Sequence, residues 1–387
     1  MNSRERVQTA LDHQEPDRVP IDLGGSVVSS ISITTYAALR DHLGLPHQEV
    51  RIFDIVQQIA IVDDDVLDVF GVDVIPVFAD TPAAYLPVVV DEGERGKSFK
   101  DDFGATLRRP LGGFYYDWQE FPLPEPSIEA LRKMPWPNPA DPAHYRGLRA
   151  KVERLRAGTD RALFGIAPCA HDLLNQLFRV RGMSEGLMDL VANPDFAEAF
   201  LDRMAGMIIT ATEHFLDEVG DLIDIHFAIA DDLTGQAGPL ISPAIYRRLV
   251  KPRSAQIIQA IKARTKAKVF CHGCGAMTEF LPDLIDIGVE IFNPVQVSAT
   301  GMDTAALKKK FGKNLAFWGG GCDTQHVLNS APPEQVREEV RRRIRDLAPG
   351  GGYVFNPVHN IQAQIDPANV AAMYEEAQAC GKYPIAK

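Results

Sequence analysis

Short runs rich in Val, Ile and Phe alternate along this chain with longer stretches whose apolar positions recur every three or four residues. The short runs predict strands over residues 18–23, 72–78, 162–166, 222–230, 268–272, 290–295, 315–318 and 352–355. Between them, residues 194–219 place Phe196, Phe200, Met204, Ile208 and Phe215 on one helical face, and residues 243–263 do the same with Tyr246, Leu249, Ile257 and Ile261. A further helix over 333–347 opens on Ala-Pro-Pro-Glu and is rich in Arg and Glu, which suits the outside of a fold. Eight strands, each followed by a helix, form the pattern of a (β/α)8 TIM barrel, so residues 1–387 read as one α/β barrel domain with an elaborated N-terminal region. Between the second and third strands, residues 84–145 are punctuated by Pro110-Leu-Gly-Gly, Phe121-Pro-Leu-Pro-Glu-Pro and Pro135-Trp-Pro-Asn-Pro, which predicts a long excursion with a small hairpin or lid. Its aromatics Phe114, Tyr115, Tyr116 and Trp118 either pack that lid or line a pocket for an aromatic ether.

In such a barrel the loops after the strands form the active face, so the residues at strand ends are the candidates for chemistry. In chain order these are Asp22, Asp80, Pro168-Cys169, Asp231-Asp232, Cys271-His272-Gly-Cys274, Asn293 to Gln296, Gly319-Gly-Gly-Cys322-Asp323 and Asn356-Pro-Val-His359-Asn360. A lone Asp at such a place is as often a turn or helix cap. Asp231-Asp232 stands out because it ends an apolar strand and runs into Leu-Thr-Gly-Gln-Ala-Gly instead of a helix. Around Cys271-His272-Gly-Cys274, an extended backbone points His272 and Cys274 to one side while Cys271 turns away. Imidazole and thiolate side by side make a zinc corner, since both suit a borderline-soft cation. Two ligands are half a site; the alternative is a reduced cysteine packed as a small hydrophobe beside a hydrogen-bonded histidine.

Composition narrows the partners. A net charge of −12 leaves no basic stripe to neutralise phosphates, which argues against nucleic acid. No apolar run reaches the roughly 20 residues that span a bilayer, and Met1-Asn2-Ser3-Arg4-Glu5-Arg6 leads into no signal-peptide core, so no membrane is expected and the cytoplasm is the expected setting. Five cysteines in 387 residues fit reduced thiols, some free for metal, better than a disulfide framework.

From Arg4-Glu-Arg-Val through Gln14-Glu-Pro-Asp-Arg-Val-Pro20 to Val358-His-Asn-Ile-Gln and Pro367-Ala-Asn-Val370, the chain resembles the uroporphyrinogen decarboxylase superfamily over nearly its whole length. That group includes the decarboxylases of haem synthesis and the zinc and corrinoid-linked methyltransferases, and the resemblance implies a (β/α)8 barrel. The haem-pathway enzymes carry Arg-Gln-Ala-Gly-Arg after the first strand to hold porphyrinogen carboxylates, whereas this chain has Asp22-Leu-Gly-Gly-Ser-Val-Val-Ser-Ser there, without the charge partners an acidic tetrapyrrole needs. Part of their pattern survives: the spacing from Asp73 to Asp80 leads to the family's catalytic aspartate, and His359 matches its C-terminal histidine. The methyltransferase branch uses a His-x-Cys pair after the fifth strand, matched by His272-Gly-Cys274, and a C-terminal cysteine ligand whose position here is His359.

The resemblance therefore implies a zinc-dependent methyltransferase that moves a methyl group between a small methylated compound and a corrinoid (cobalamin) carried by a partner protein, because the chain has no cobalamin-binding Asp-x-His-x-x-Gly stretch. His272 and Cys274 are the expected metal ligands, with His359 or Cys322 completing the set. Asp80 and Asp232 are the expected catalytic carboxylates, and Asp231, Asn293 and Gln296 the expected substrate-binding groups. Two other readings stay open: a decarboxylase or lyase on a small non-porphyrin acid, using Asp80 and His359 for proton transfer, and a non-catalytic binding protein that kept the barrel.

Overall fold

The computed structural model describes residues 1–385. Seven parallel strands form one sheet in sequential order: Val74–Phe78, Ala162–Ile166, Ile225–Ile229, Lys268–His272, Ile291–Asn293, Ala316–Trp318 and Tyr353–Val354. The predicted first strand is reduced to isolated bridges, one of them pairing Ile21 with Phe355 in parallel. Pro20 has no N–H to donate, and the Ile21 N–H is taken by Asp73 Oδ2 at 2.8 Å, so little of a ladder can form. Even so, the Asp22 N–H donates to the Phe355 carbonyl and the Asp73 N–H to the Ile21 carbonyl, each at 2.8 Å, and the segment closes the barrel between its last and first strands.

Strand alternation sorts the side chains into two cores. Phe164, Phe227, Phe270 and Trp318 point inward with Val74, Ile291 and Val354, and the Phe164 and Phe270 rings meet edge to face with centroids 4.8 Å apart. Val7 and Leu11 of helix Ser3–Leu11 join this cluster and stopper the end of the barrel where the strands begin. Opposite-parity residues such as Cys271 and Phe292 pack outward against the helices. The elaborated N-terminal region is thus the bottom plug. It is pinned by the fully buried Asp73, which accepts from Arg6 Nη1, Arg18 Nη1 and Ser3 Oγ, each at 2.7 Å.

Helices Pro194–Val219 and Pro333–Leu347 lie where the apolar spacing puts them. The predicted helix over 243–263 is interrupted instead: a π turn at Tyr246–Val250 precedes the regular helix Lys251–Lys262. Pro252 is the cause, since it cannot donate to the preceding turn and its ring crowds the carbonyl there. The excursion is larger than a hairpin. Val90–Asp91, Lys97–Lys100, Thr106–Arg109 and Asp117–Glu120 form a four-stranded antiparallel meander, with Phe99, Leu107 and Tyr116 packed on Ile55 and Val56. Arg179 clamps it to the barrel by pairing with Asp101 and Asp102, each at 2.7 Å, beneath the Phe103 ring.

Candidate metal centre

At the end of Lys268–His272 the inward parity that buries Phe270 carries His272 into the barrel mouth. Gly273 and Gly275 then turn the chain so that Cys274 lies beside it, with Sγ 3.5 Å from His272 Nε2. Gly275 has φ +93°, and a Cβ there would sit 2.6 Å from the Gly235 carbonyl, so no other residue fits behind Cys274. The turn is held from three sides: Cys274 N–H donates to Asp232 Oδ1 at 3.2 Å, Thr234 Oγ1 to the Cys274 carbonyl at 2.6 Å, and Gly275 N–H to Gln296 Oε1 at 2.7 Å. From the last strand's loop comes His359, whose ring lies 5.3 Å from that of His272. Asn360 fixes this loop, donating to the Val27 carbonyl and Gln57 Oε1 at 2.9 and 2.8 Å and accepting from Ser30 N–H at 2.7 Å.

The ligand atoms of His272, Cys274 and His359 all lie within 4.8 Å of one another. Tetrahedral zinc with bonds of about 2.0–2.3 Å separates its ligands by roughly 3.3–3.7 Å, so two imidazoles and one thiol at these distances suit it after a small contraction. Charge agrees with that. Burial lowers the His272 pKa, and burial together with the neighbouring His272 pushes His359 down to about 3, so both rings are neutral and offer lone pairs. Burial raises the Cys274 thiol, which stays protonated until a cation compensates its charge.

Asp232 reaches the turn at Cys274, with Asp231 and Asp172 near it. Asp231 Oδ1 accepts from the N–H groups of Leu173 and Leu174 at 2.9 and 2.6 Å, capping helix Leu174–Arg181, while its Oδ2 has no partner among the described residues. Burial and the nearby Asp172 push this carboxyl up to about 8; Asp172, itself raised to about 6 by burial, accepts from Gln176 Nε2 at 2.6 Å. Of the two neighbouring aspartates, Asp232 is the one that reaches the turn over residues 272–275, by accepting from the Cys274 N–H. His171 escaped the sequence reading, which stopped at Cys169. It stacks edge-on against Phe227 at 4.9 Å, burial pushes it down to about 4, and its Nδ1 has no partner among the described residues. The one available signal was its place two residues beyond Cys169, in a loop without periodicity.

Several expected residues lie elsewhere or act differently. Asp80 is exposed and paired with Lys151 Nζ at 2.7 Å, apart from the trio. Cys322 is fully buried, with Sγ 3.9 Å from the Asp323 carbonyl and Glu339 and Arg343 of the outer helix among its neighbouring charges, and it is not among the clustered ligands. Asn293 and Gln296, expected to bind substrate, have turned their amide oxygens to His272 Nδ1 and the Gly275 N–H, because polar groups at a crowded mouth must satisfy one another first.

The uroporphyrinogen decarboxylase (URO-D) family model matches residues 120–380. Among curated relatives, the uroporphyrinogen decarboxylase of Thioalkalivibrio sulfidiphilus (strain HL-EbGR7) is 30% identical over 198 residues, which cover 46% of this chain and 52% of that protein. The uroporphyrinogen decarboxylase of Proteus mirabilis (strain HI4320) is 22% identical over 296 residues, 72% of this chain and 76% of that one. The chain spans about half the length of the first of these relatives. A methyltransferase from Methanosarcina mazei shares the fold, with a TM-score of 0.63 at 17% identity over 98% of this chain and 99% of that chain. With 261 of its 387 residues matched by the family model (120–380), the chain belongs to the uroporphyrinogen decarboxylase family.

Proposed function

We propose that this protein is a zinc-dependent methyltransferase that moves a methyl group between a small methylated compound and a corrinoid carried by a partner protein. The convergence of His272, Cys274 and His359 carries this reading, since two imidazoles and a thiol with ligand atoms within 4.8 Å of one another are a donor set suited to zinc. Bound zinc would act as a Lewis acid with one open position, there lowering the pKa of a thiol or polarising the group that bears the methyl. His272 and His359 would contribute neutral nitrogens and Cys274 the one anionic ligand, so the loaded site keeps net positive charge toward an incoming thiolate or ether oxygen. Asp232 holds the Cys274 N–H and sets where that ligand sits. Asp231, protonated near neutrality, and Asp172, raised to about 6, would exchange a proton with the departing or arriving group. The fold match to the Methanosarcina mazei methyltransferase is compatible with the reading.

A decarboxylase or lyase acting on a small acid is the second reading, favoured by the curated relatives and by those two carboxyls. Against it stands Asp80, neutralised by Lys151 at the surface. Among the described residues no helix is long and apolar enough to cross a membrane, and we place the activity with reduced thiols in the cytoplasm. The test is turnover of methylated ethers, amines and thioethers with and without a corrinoid protein. Methyl loss should require the corrinoid protein and stop on zinc chelation; carbon dioxide release from small acids that needs no corrinoid and survives chelation would reject the proposal.

A further inference from the structure

Asn293 is wholly inaccessible to solvent, and its amide lies between two groups of fixed character. A backbone carbonyl can only accept, so the amide nitrogen must face the Trp318 carbonyl, at 2.9 Å. The amide oxygen is then the end that meets His272 Nδ1, at 2.6 Å. An oxygen there can only accept, which places the ring proton on Nδ1 and leaves Nε2 with its lone pair. Nε2 is the nitrogen turned toward Cys274 Sγ, 3.5 Å away.

Trp318 is itself held by a neighbouring strand end. Its indole N–H donates to the buried Asp22 Oδ2 at 2.8 Å, and the other oxygen of Asp22 accepts from Gly25 N–H at 2.8 Å. Each bond in the series Asp22, Trp318, Asn293, His272 therefore immobilises the next residue, and the last one fixes which nitrogen of His272 is free. Gly319 keeps this series accessible to itself: a Cβ there would come within 3.2 Å of Asn293 Nδ2 and 3.0 Å of the Pro357 carbonyl.

We infer that Asn293 is the positioning residue of the metal centre: it locks His272 in the Nδ1–H tautomer, so that the ligand nitrogen points into the trio before any cation arrives. It also provides a neutral partner. A carboxylate at the same place would pull on the Nδ1 proton, make the imidazole a stronger donor and damp the Lewis acidity that the open position needs. This inference rests on reading His272 as a zinc ligand, and its consequences extend to the metal-free protein.

The test combines 15N NMR of histidine ring nitrogens in the metal-free protein with zinc affinity measured by chelator competition. In the wild type, His272 should be protonated at Nδ1. Asn293→Ala should shift it toward the Nε2–H tautomer and weaken zinc about 10–100-fold, as loss of an outer partner of a metal histidine does. Asn293→Asp restores an acceptor at Nδ1 but sets a second oxygen against the Trp318 carbonyl; it should hold zinc at least as tightly as the wild type while the melting temperature falls. If Asn293 served packing alone, Ala and Asp would lose stability with the tautomer unchanged and zinc weakened equally or not at all, and that result would overturn the inference. Zinc uptake by a wild type whose His272 is the Nε2–H tautomer would overturn it too, leaving the metal reading intact. The Nδ1–H tautomer in a wild type that takes up no zinc would uphold the positioning role and reject the metal reading instead.

Discussion

At the scale of single residues, the ligand set makes the most exposed claim. Removing an outer partner of a metal histidine costs about 10–100-fold in affinity, so deleting a ligand outright should cost more. We expect Cys274→Ala and His359→Ala each to lose beyond about 100-fold in zinc affinity, whereas Cys322→Ser should leave zinc per folded chain unchanged, because Cys322 faces the outer helix charges and not the trio. Chelator competition on folded protein decides the matter, and a large loss confined to Cys322→Ser would reassign the third ligand. His272 and Cys274 were legible in the sequence because strand alternation is a strict rule, and it also sent Cys271 outward. Asn293 and Gln296 were legible as polar strand ends but not in role. Sequence shows that an amide is near the mouth, and only the folded arrangement shows that its oxygen is already taken. Asp80 misled for a related reason: its ion pair with Lys151 joins residues 71 positions apart.

At the scale of elements, the cap of helix Leu174–Arg181 is a carboxyl that stays protonated near neutrality. Its pKa rises from 3.8 in an open chain to about 8 when folded, so between those values the folded state holds a proton that the unfolded state has released. This group's contribution to stability therefore falls as pH climbs through that window. Asp231→Asn keeps an oxygen for the Leu173 and Leu174 N–H groups and cannot titrate. Its stability relative to wild type should rise steadily from pH 4 to pH 8, the window that the two values define, and level off beyond. Urea unfolding of both proteins across that range is the check, and parallel profiles would contradict the assignment. The strand and helix spacing was readable because both periods are carried by apolar residues. The π turn at Tyr246–Val250 was not, although Pro252 was in plain view, since a proline marks a disturbance without saying whether the helix bends, breaks or widens.

At the scale of the whole molecule, barrel closure depends on one buried carboxylate. Asp73 gathers Arg6, Arg18, Ser3 and the Ile21 N–H, joining the bottom plug to both edges of the sheet. Asp73→Ala would leave Arg6 without one of its two carboxylates in a buried setting, and breaking such a pair costs about 3–5 kcal/mol. A loss below about 1 kcal/mol in denaturant unfolding would show that the plug is held by its apolar face instead, through Val7 and Leu11. The sequence announced eight strands and a long excursion, but the near-loss of the first strand follows from a contact between Asp73 and Ile21 that no local pattern encodes.

The central claim, a three-ligand centre with one position open, is tested most directly by zinc-edge X-ray absorption on the zinc-loaded protein. The account predicts one zinc per chain bound by one sulfur and two imidazole nitrogens plus one exchangeable light atom, with a second sulfur appearing when a small thiol is added. Two sulfurs without added thiol, four fixed protein ligands, or no zinc uptake at all would contradict it.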